Sequence, residues 1–267
     1  MTAITVSEFR VGEVLGRSIA ILGRNLVPFG ILALIFTWPL LFFSSPMAED
    51  VASGTTSPYG SGAAGSTDPL TAGEVAVIGG VVLAAVVVAI VLYMLSTSTM
   101  VYGTFQDLRG RRIGVATCVR RGLATVFPVL GVALLYTLAV MLGSVALIVP
   151  GVMLYTAFWV AIPVAVVERP GVVASLKRSA ALTKGHRWRI FGMIMVLALL
   201  NGVVDSTLQM SSFGAAGTAA MAAHAVVSYM ATAFFIAFGA VTTAVAYHDL
   251  RLVKEGLGID EIAAVFD

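Results

Sequence analysis

Residues 168–191 read ERPGVVASLKRSAALTKGHRWRIF and hold six of the sixteen Lys and Arg residues of the chain. Long apolar runs flank them on both sides. Val172, Val173, Leu176 and Ala180 recur at helical spacing, with Lys177, Arg178 and Lys184 on another face. The pattern predicts an amphipathic helix lying on a membrane surface and joining two spans. Pro170 suits its first turn and Gly185 its C-terminal cap. His186, Arg187, Trp188 and Arg189 follow as interfacial anchors for the next span.

Working outward, 59% of the residues are hydrophobic and 11% charged, with a mean hydropathy of +0.98. Soluble domains carry about 25% charged residues. A 267-residue chain in water cannot hide this much apolar surface. No formal charge occurs from Gly122 to Val167. None occurs from Ser206 to His248 with histidine neutral. Apolar runs without alternation exclude a barrel and leave helices as the spanning element. The apolar run over residues 126–167 would make about 63 Å of helix, two crossings of a ~30 Å core, so it must fold back. Gly143-Ser144 and Pro150-Gly151 are its candidate breaks.

Six spans are predicted at 26–43, 74–99, 126–147, 151–167, 190–204 and 221–247. Residues 1–25 form a cytoplasmic interfacial helix, either in lipid or packed on the ends of the bundle. Arg10, Glu13, Arg17 and Arg24 share one of its faces. No cleavable signal precedes the first span, which is expected to stay as an anchor. Residues 44–73, rich in Gly, Ser, Thr, Ala and Pro, read as a flexible external loop. Residues 248–267 read as a cytoplasmic tail. The predicted external loops contain no Lys or Arg, so the positive-inside rule places both termini in the cytoplasm of a multi-pass protein.

The chain reads as three copies of one unit. Each is a basic amphipathic surface helix followed by a helical hairpin. Gly16-Arg17-Ser18, Arg121-Gly122 and Arg178-Ser179 occupy similar places. The second surface helix is expected in RIGVATCVRRGLATVF, with Arg112, Arg120 and Arg121. Spans end in Asp107-Leu108-Arg109, Glu168-Arg169 and Asp249-Leu250-Arg251. Units of two crossings share one orientation, so the repeats are parallel. The expected architecture is all-α and integral to the membrane.

Chemistry-bearing patterns are sparse. Histidines 186, 224 and 248 and the one cysteine, Cys118, lack metal-ligand spacing, and no phosphate-binding glycine loop occurs, so no metal or cofactor is expected. No nucleophile elbow occurs either, and the chain reads as a non-enzyme. Asp205 and His224 fall near outer span ends. Asp107, Arg109, Glu168, Asp249 and Arg251 are candidates for interfacial ion pairs. Arg17, Arg120, Arg121, Lys177, Arg178, Lys184, Arg187 and Arg189 are candidates for contact with anionic lipid or a membrane partner, since juxtamembrane bases attract anionic headgroups by about 1 kcal/mol each. Nothing points to nucleic acid. The leading expectation is a non-enzymatic scaffold or accessory protein contacting anionic lipids or another membrane protein. The alternative is a transporter or channel for a lipid-like or small neutral solute, with a cavity lined by Ser96–Thr99, Thr242 and Thr243.

Three segments carry a family resemblance: VGEVLGRSIAILGRNLVPF at 11–29, VPGVMLY through AIPVAVVERPGVVASLKRSAALTKGHRWRIFG at 149–192, and YHDLRLVKEG at 247–256. They resemble the bacterial glycerophosphoryl diester phosphodiesterase membrane-domain family. The resemblance implies a six-span protein of the bacterial inner membrane in a lipid-related setting. It does not imply catalysis here. The fused catalytic part of some members resembles a barrel domain with paired carboxylates and histidines, for which this chain has no room. Gly185-His186-Arg187 ends a surface helix and is not that domain's motif.

Overall fold

The computed structural model describes residues 9–43, 72–110, 114–212 and 218–255. Residues 44–71 of the loop predicted at 44–73, Arg112, the tail beyond Glu255 and the tip at 213–217 lie outside the described residues. Within them the chain is all helical: α1 Val11–Arg24, α2 Leu26–Phe43, α3 Ala72–Leu108, α4 Val115–Ala146, α5 Ile148–Ala157, α6 Ala161–Val167, α7 Val172–Thr183, α8 Arg187–Ser212 and α9 Thr218–Glu255. Five segments are long and apolar enough to cross a bilayer: Gly79–Leu108, Ala116–Val145, Ile148–Val167, Arg187–Ser211 and Ala220–Glu255. Helices α1 and α2, bent by 86° at their junction, form a further candidate. This is a multi-pass helical membrane protein.

The bend between α1 and α2 follows from two residues. Pro28 has no N–H to give the carbonyl of Arg24, so the helix cannot run on unbroken. Asn25 takes up the slack: its backbone N–H bonds the carbonyls of Ile21 and Leu22, and its side-chain Nδ2 donates to Ile21 as well. Val14, Ser18, Ile21 and Leu22 form the buried stripe of α1. They pack on protein, while Ile19 on the opposite face is 60% exposed.

Three expectations need correction. The second surface helix is not a separate element. Residues 115–146 form one continuous helix that absorbs Pro128 in its interior. The fold-back of the long apolar run is not at Pro150-Gly151. It is the single extended residue Leu147, with φ −165° and ψ 145°. Pro150 sits in the first turn of α5, where a missing N–H leaves no intrahelical bond unmade. Gly143 and Gly151 instead serve close crossing. A Cβ on Gly143 would stand 2.8 Å from the Leu154 side chain, and one on Gly151 would collide with Ser144.

The fourth span is not one helix. It breaks at Phe158–Val160, between α5 and α6. Pro163 is the physical cause: it cannot donate to the carbonyl of Trp159, and its ring crowds that carbonyl. The carbonyl oxygen of Ala157, which also has no Ala161 N–H to accept, receives Ser179 Oγ at 2.8 Å and Thr183 Oγ1 at 3.1 Å. The Ala161 N–H turns to Phe158. Unsatisfied carbonyls in an apolar setting cost several kcal/mol, so such a break persists only where partners exist. Helix α7 supplies them. It is reached by a reversal through Arg169 (φ 52°) and Gly171 (φ 96°), and Gly185 (φ 91°) follows its end. Ser175, Ser179, Leu182 and Thr183 are its buried face, set against the broken span.

Candidate functional site

Two polar constellations emerge. The first is a belt of ion pairs where α1, α3, α7 and α9 end, here called the basic end. Arg17 and Arg24 stand seven residues apart, on one face of α1. Arg17 Nη1 reaches Asp249 on α9 at 2.6 Å, and Arg24 Nη2 reaches Asp107 on α3 at 2.8 Å. Asn25 Nδ2 adds a hydrogen bond to Asp107 at 2.7 Å. His248 Nδ1 lies 3.2 Å from Asp249, which is only 3% exposed.

Glu168, after α6, is held by three groups. Arg178 Nε donates at 3.1 Å, Tyr247 Oη donates at 2.6 Å, and Arg251 Nη1 lies at 3.8 Å. Arg178 also bonds Glu255, which accepts from Arg251 Nε at 2.9 Å. Partial burial works against the charge of Arg178, but hydrogen bonds to Glu255 and Glu168 outweigh it and raise its pKa above the ordinary guanidinium value. The belt thus clamps α7 to the basic end of the broken span and to the last turns of α9.

These partners differ from those the sequence suggests. Asp107 does not pair with Arg109, nor Asp249 with Arg251. Residues two apart on a helix point to different faces. Each carboxylate therefore turns to another helix, and Arg109 is exposed. Arg17 and Arg178, candidates for lipid contact, are turned onto carboxylates of the protein. Arg189 Nη1 donates to the Phe9 carbonyl at 3.0 Å. Arg187 is half-buried, and its Nε finds no hydrogen-bond partner among the described residues. Arg120, Arg121, Lys177 and Lys184 are exposed and have no ion-pair partner among the described residues.

The second constellation is a cavity of about 690 Å³ bounded by α3, α4, α8, α9 and the break between α5 and α6. That volume lies within the range of small-molecule sites. Its wall toward the basic end is mostly apolar, with Val101, Val132, Ile162 and Ile194 beside Thr243. Toward the far end it becomes polar and aromatic, with Tyr93, Tyr136, Tyr155, Asn201, Asp205 and Thr232. The rings of Tyr136 and Tyr155 lie 5.9 Å apart, tilted by 39°. Asn201, Asp205 and Thr232 are exposed at the mouth. A Cβ on Gly239, in the wall, would meet nothing within 4 Å.

Of the hydroxyls expected to line a cavity, Thr97 and Thr243 do so. Ser98, Thr99 and Thr242 are buried between helices and bond back to Met94, Leu95 and Phe238. Ser96 Oγ lies against Met100 Sδ at 3.9 Å. Nothing in the sequence sets Tyr93, Tyr136, Tyr155 and Asn201 apart from polar residues that bond between helices. Their convergence depends on how helices far apart in sequence are rotated, which no local pattern records.

The fold defines a helical multi-pass membrane protein with a broken span and an intramembrane cavity. A protein-family model described as "Domain of unknown function (DUF7847)" matches residues 109–250, just over half of the chain, and the chain belongs to that family. The match covers the broken span, α7 and most of the cavity wall, but not Tyr93 or Thr97 on α3. No curated protein and no solved structure matches the chain.

Proposed function

We propose that this protein binds a lipid-like solute between its spans, as the binding step of a carrier or transporter. The observation that carries the reading is the 690 Å³ cavity beside the break at Phe158–Val160. Irregular backbone at membrane depth is tolerated where it lines a cavity or is buried in protein. Discontinuous helices form the binding sites of many transporters. The wall grades from apolar to hydroxyl-bearing along its length, which suits an amphiphile. The test is retention of lipid by native mass spectrometry in nanodiscs, comparing wild type with Gly239→Leu and Ala198→Phe, which fill the cavity. Wild type is expected to keep a bound lipid that both variants lose. Identical retention in all three would sink the reading.

The scaffold reading is kept as second. It is favoured by Arg120, Arg121, Lys177 and Lys184, exposed and without acidic partners among the described residues. Changing these four to Gln tests it through loss of an anionic lipid or partner. Arg178 is left out of that test because it holds Glu168 and Glu255. For either reading we place the chain in the bacterial inner membrane, as six spans with both termini cytoplasmic, on the charge asymmetry of its loops. The resemblance to the phosphodiesterase membrane-domain family supports a lipid-related setting. The three hairpin repeats keep two supports: α1 and α7 are separate basic helices, and each even span ends in a carboxylate held by an arginine of such a helix. A non-enzymatic role is supported by the same pairs, since Asp107, Glu168 and Asp249 are engaged by arginines rather than free as acids or bases.

A further inference from the structure

We propose that the amphiphile taken by the cavity has a cationic head, an amine or quaternary ammonium, with Asp205 as its counter-ion. This rests on the reading of the cavity as a solute site and narrows it. The cavity wall contains no Lys or Arg, and its one carboxylate is Asp205. Among the described side chains, Glu13, Asp107, Glu168, Asp249 and Glu255 all have basic partners. Asp205 has none there. Among the described residues it accepts one neutral hydrogen bond, from Gln209 Nε2 at 3.1 Å.

Seven aromatic rings stand in the same wall: Tyr93, Tyr136, Tyr155, Phe158, Trp159, Phe235 and Phe238. Ring faces attract cations, more strongly where water is excluded, and quaternary ammonium groups are recognised by aromatic walls of this kind. An anionic head meets the opposite. It would face Asp205 and the negative ring faces, with every described Lys and Arg residue placed away from the wall. The apolar residues Val101, Val132 and Ile194 lie at the other end. Ile194 and Asp205, eleven residues apart on α8, set a length of about 16 Å between tail site and head site.

The test uses three probes of one chain length: decyltrimethylammonium, decanol and decanoate. Each is titrated into the purified full chain in a neutral glycosidic detergent, and bound adducts are counted by native mass spectrometry. The expected result is at least tenfold tighter binding of the cation than of the other two. Asp205→Asn should erase that preference and leave decanol binding unchanged. Asp205 is exposed and, among the described residues, bonds only Gln209, so the variant should fold, which its melting temperature checks. Equal binding of the three probes, or a preference that survives Asp205→Asn, overturns the cationic assignment alone. If Gly239→Leu binds decanol and the cation as wild type does, the cavity itself is not the site and the parent reading falls with it.

Discussion

Ser179 Oγ donates to the carbonyl oxygen of Ala157 at 2.8 Å, joining the basic helix α7 to the break in the fourth span. Thr183 shares that oxygen at 3.1 Å. The two hydroxyls back each other up. Ser179→Ala or Thr183→Val alone should cost about 1 kcal/mol or less, the net worth of one hydrogen bond. The double change orphans the carbonyl and should cost about 1–3 kcal/mol beyond the sum of the singles. Thermal unfolding in detergent of the four proteins reads this non-additivity. Strict additivity would mean that the carbonyl has another partner.

Arg17 and Asp249 meet at 2.6 Å with Asp249 almost fully buried and Arg17 about a third exposed. Breaking a buried pair from one side strands the remaining charge and costs about 3–5 kcal/mol. Partial exposure of the arginine lowers that figure here. Arg17→Ala should therefore destabilise by about 2–3 kcal/mol. Asp249→Asn in the same background should restore a large part of the loss, because it removes the stranded charge. Unfolding midpoints of the two variants check the order. If the double variant is the less stable, the stranded charge is not the source of the loss.

Some of this was legible before the fold and some was not. Continuous apolar runs announce spans, because a helix in lipid needs no alternation. The seven-residue spacing of Arg17 and Arg24 put them on one face, but not the identity of what they would grip. Pro150-Gly151 looked like a turn, since Pro and Gly usually punctuate. Yet a proline in a first helical turn starts a helix as readily as it ends one, and the reversal fell on Leu147. Pro163 was the overlooked break, because it lies inside an unbroken apolar stretch. The cavity followed from that break and from helix rotations, so its tyrosines could not be told from packing residues.

His186 gives a pH dependence with a definite sign. Burial lowers its pKa from the ordinary 6.5, helped by the positive charges of Lys254 and Arg189. Phe9 meets its ring edge-on at 6.0 Å. The unfolded chain then binds a proton more readily than the folded one. Stability should be fully present above about pH 6.5 and fall as pH drops below it. Melting temperatures from pH 7.5 to 5.0 should decline in wild type and decline less in His186→Gln. Parallel profiles for the two proteins would assign the acid sensitivity to other groups.

Gly122 on α4 is where a single added carbon should be felt. Its Cβ would land on Thr99 Oγ1 of α3, with Leu95 Cδ1 at 3.2 Å and the Thr99 backbone nitrogen at 3.4 Å. Thr99 is not free to swing aside, since its hydroxyl bonds the Leu95 carbonyl. Helices in lipid associate by close packing of small residues, with little hydrophobic drive of their own. Gly122→Ala should then push α3 and α4 apart and cost about 1–3 kcal/mol, the usual range for overpacking. Ala is the better helix former by about 1 kcal/mol, so an unobstructed site would show a gain instead. Thr99→Ala should rescue Gly122→Ala in part, by clearing the oxygen that blocks the new methyl group. The four-protein cycle in unfolding midpoints separates the two outcomes. A stabilising Gly122→Ala in the wild-type background would show that α3 and α4 do not meet at Thr99.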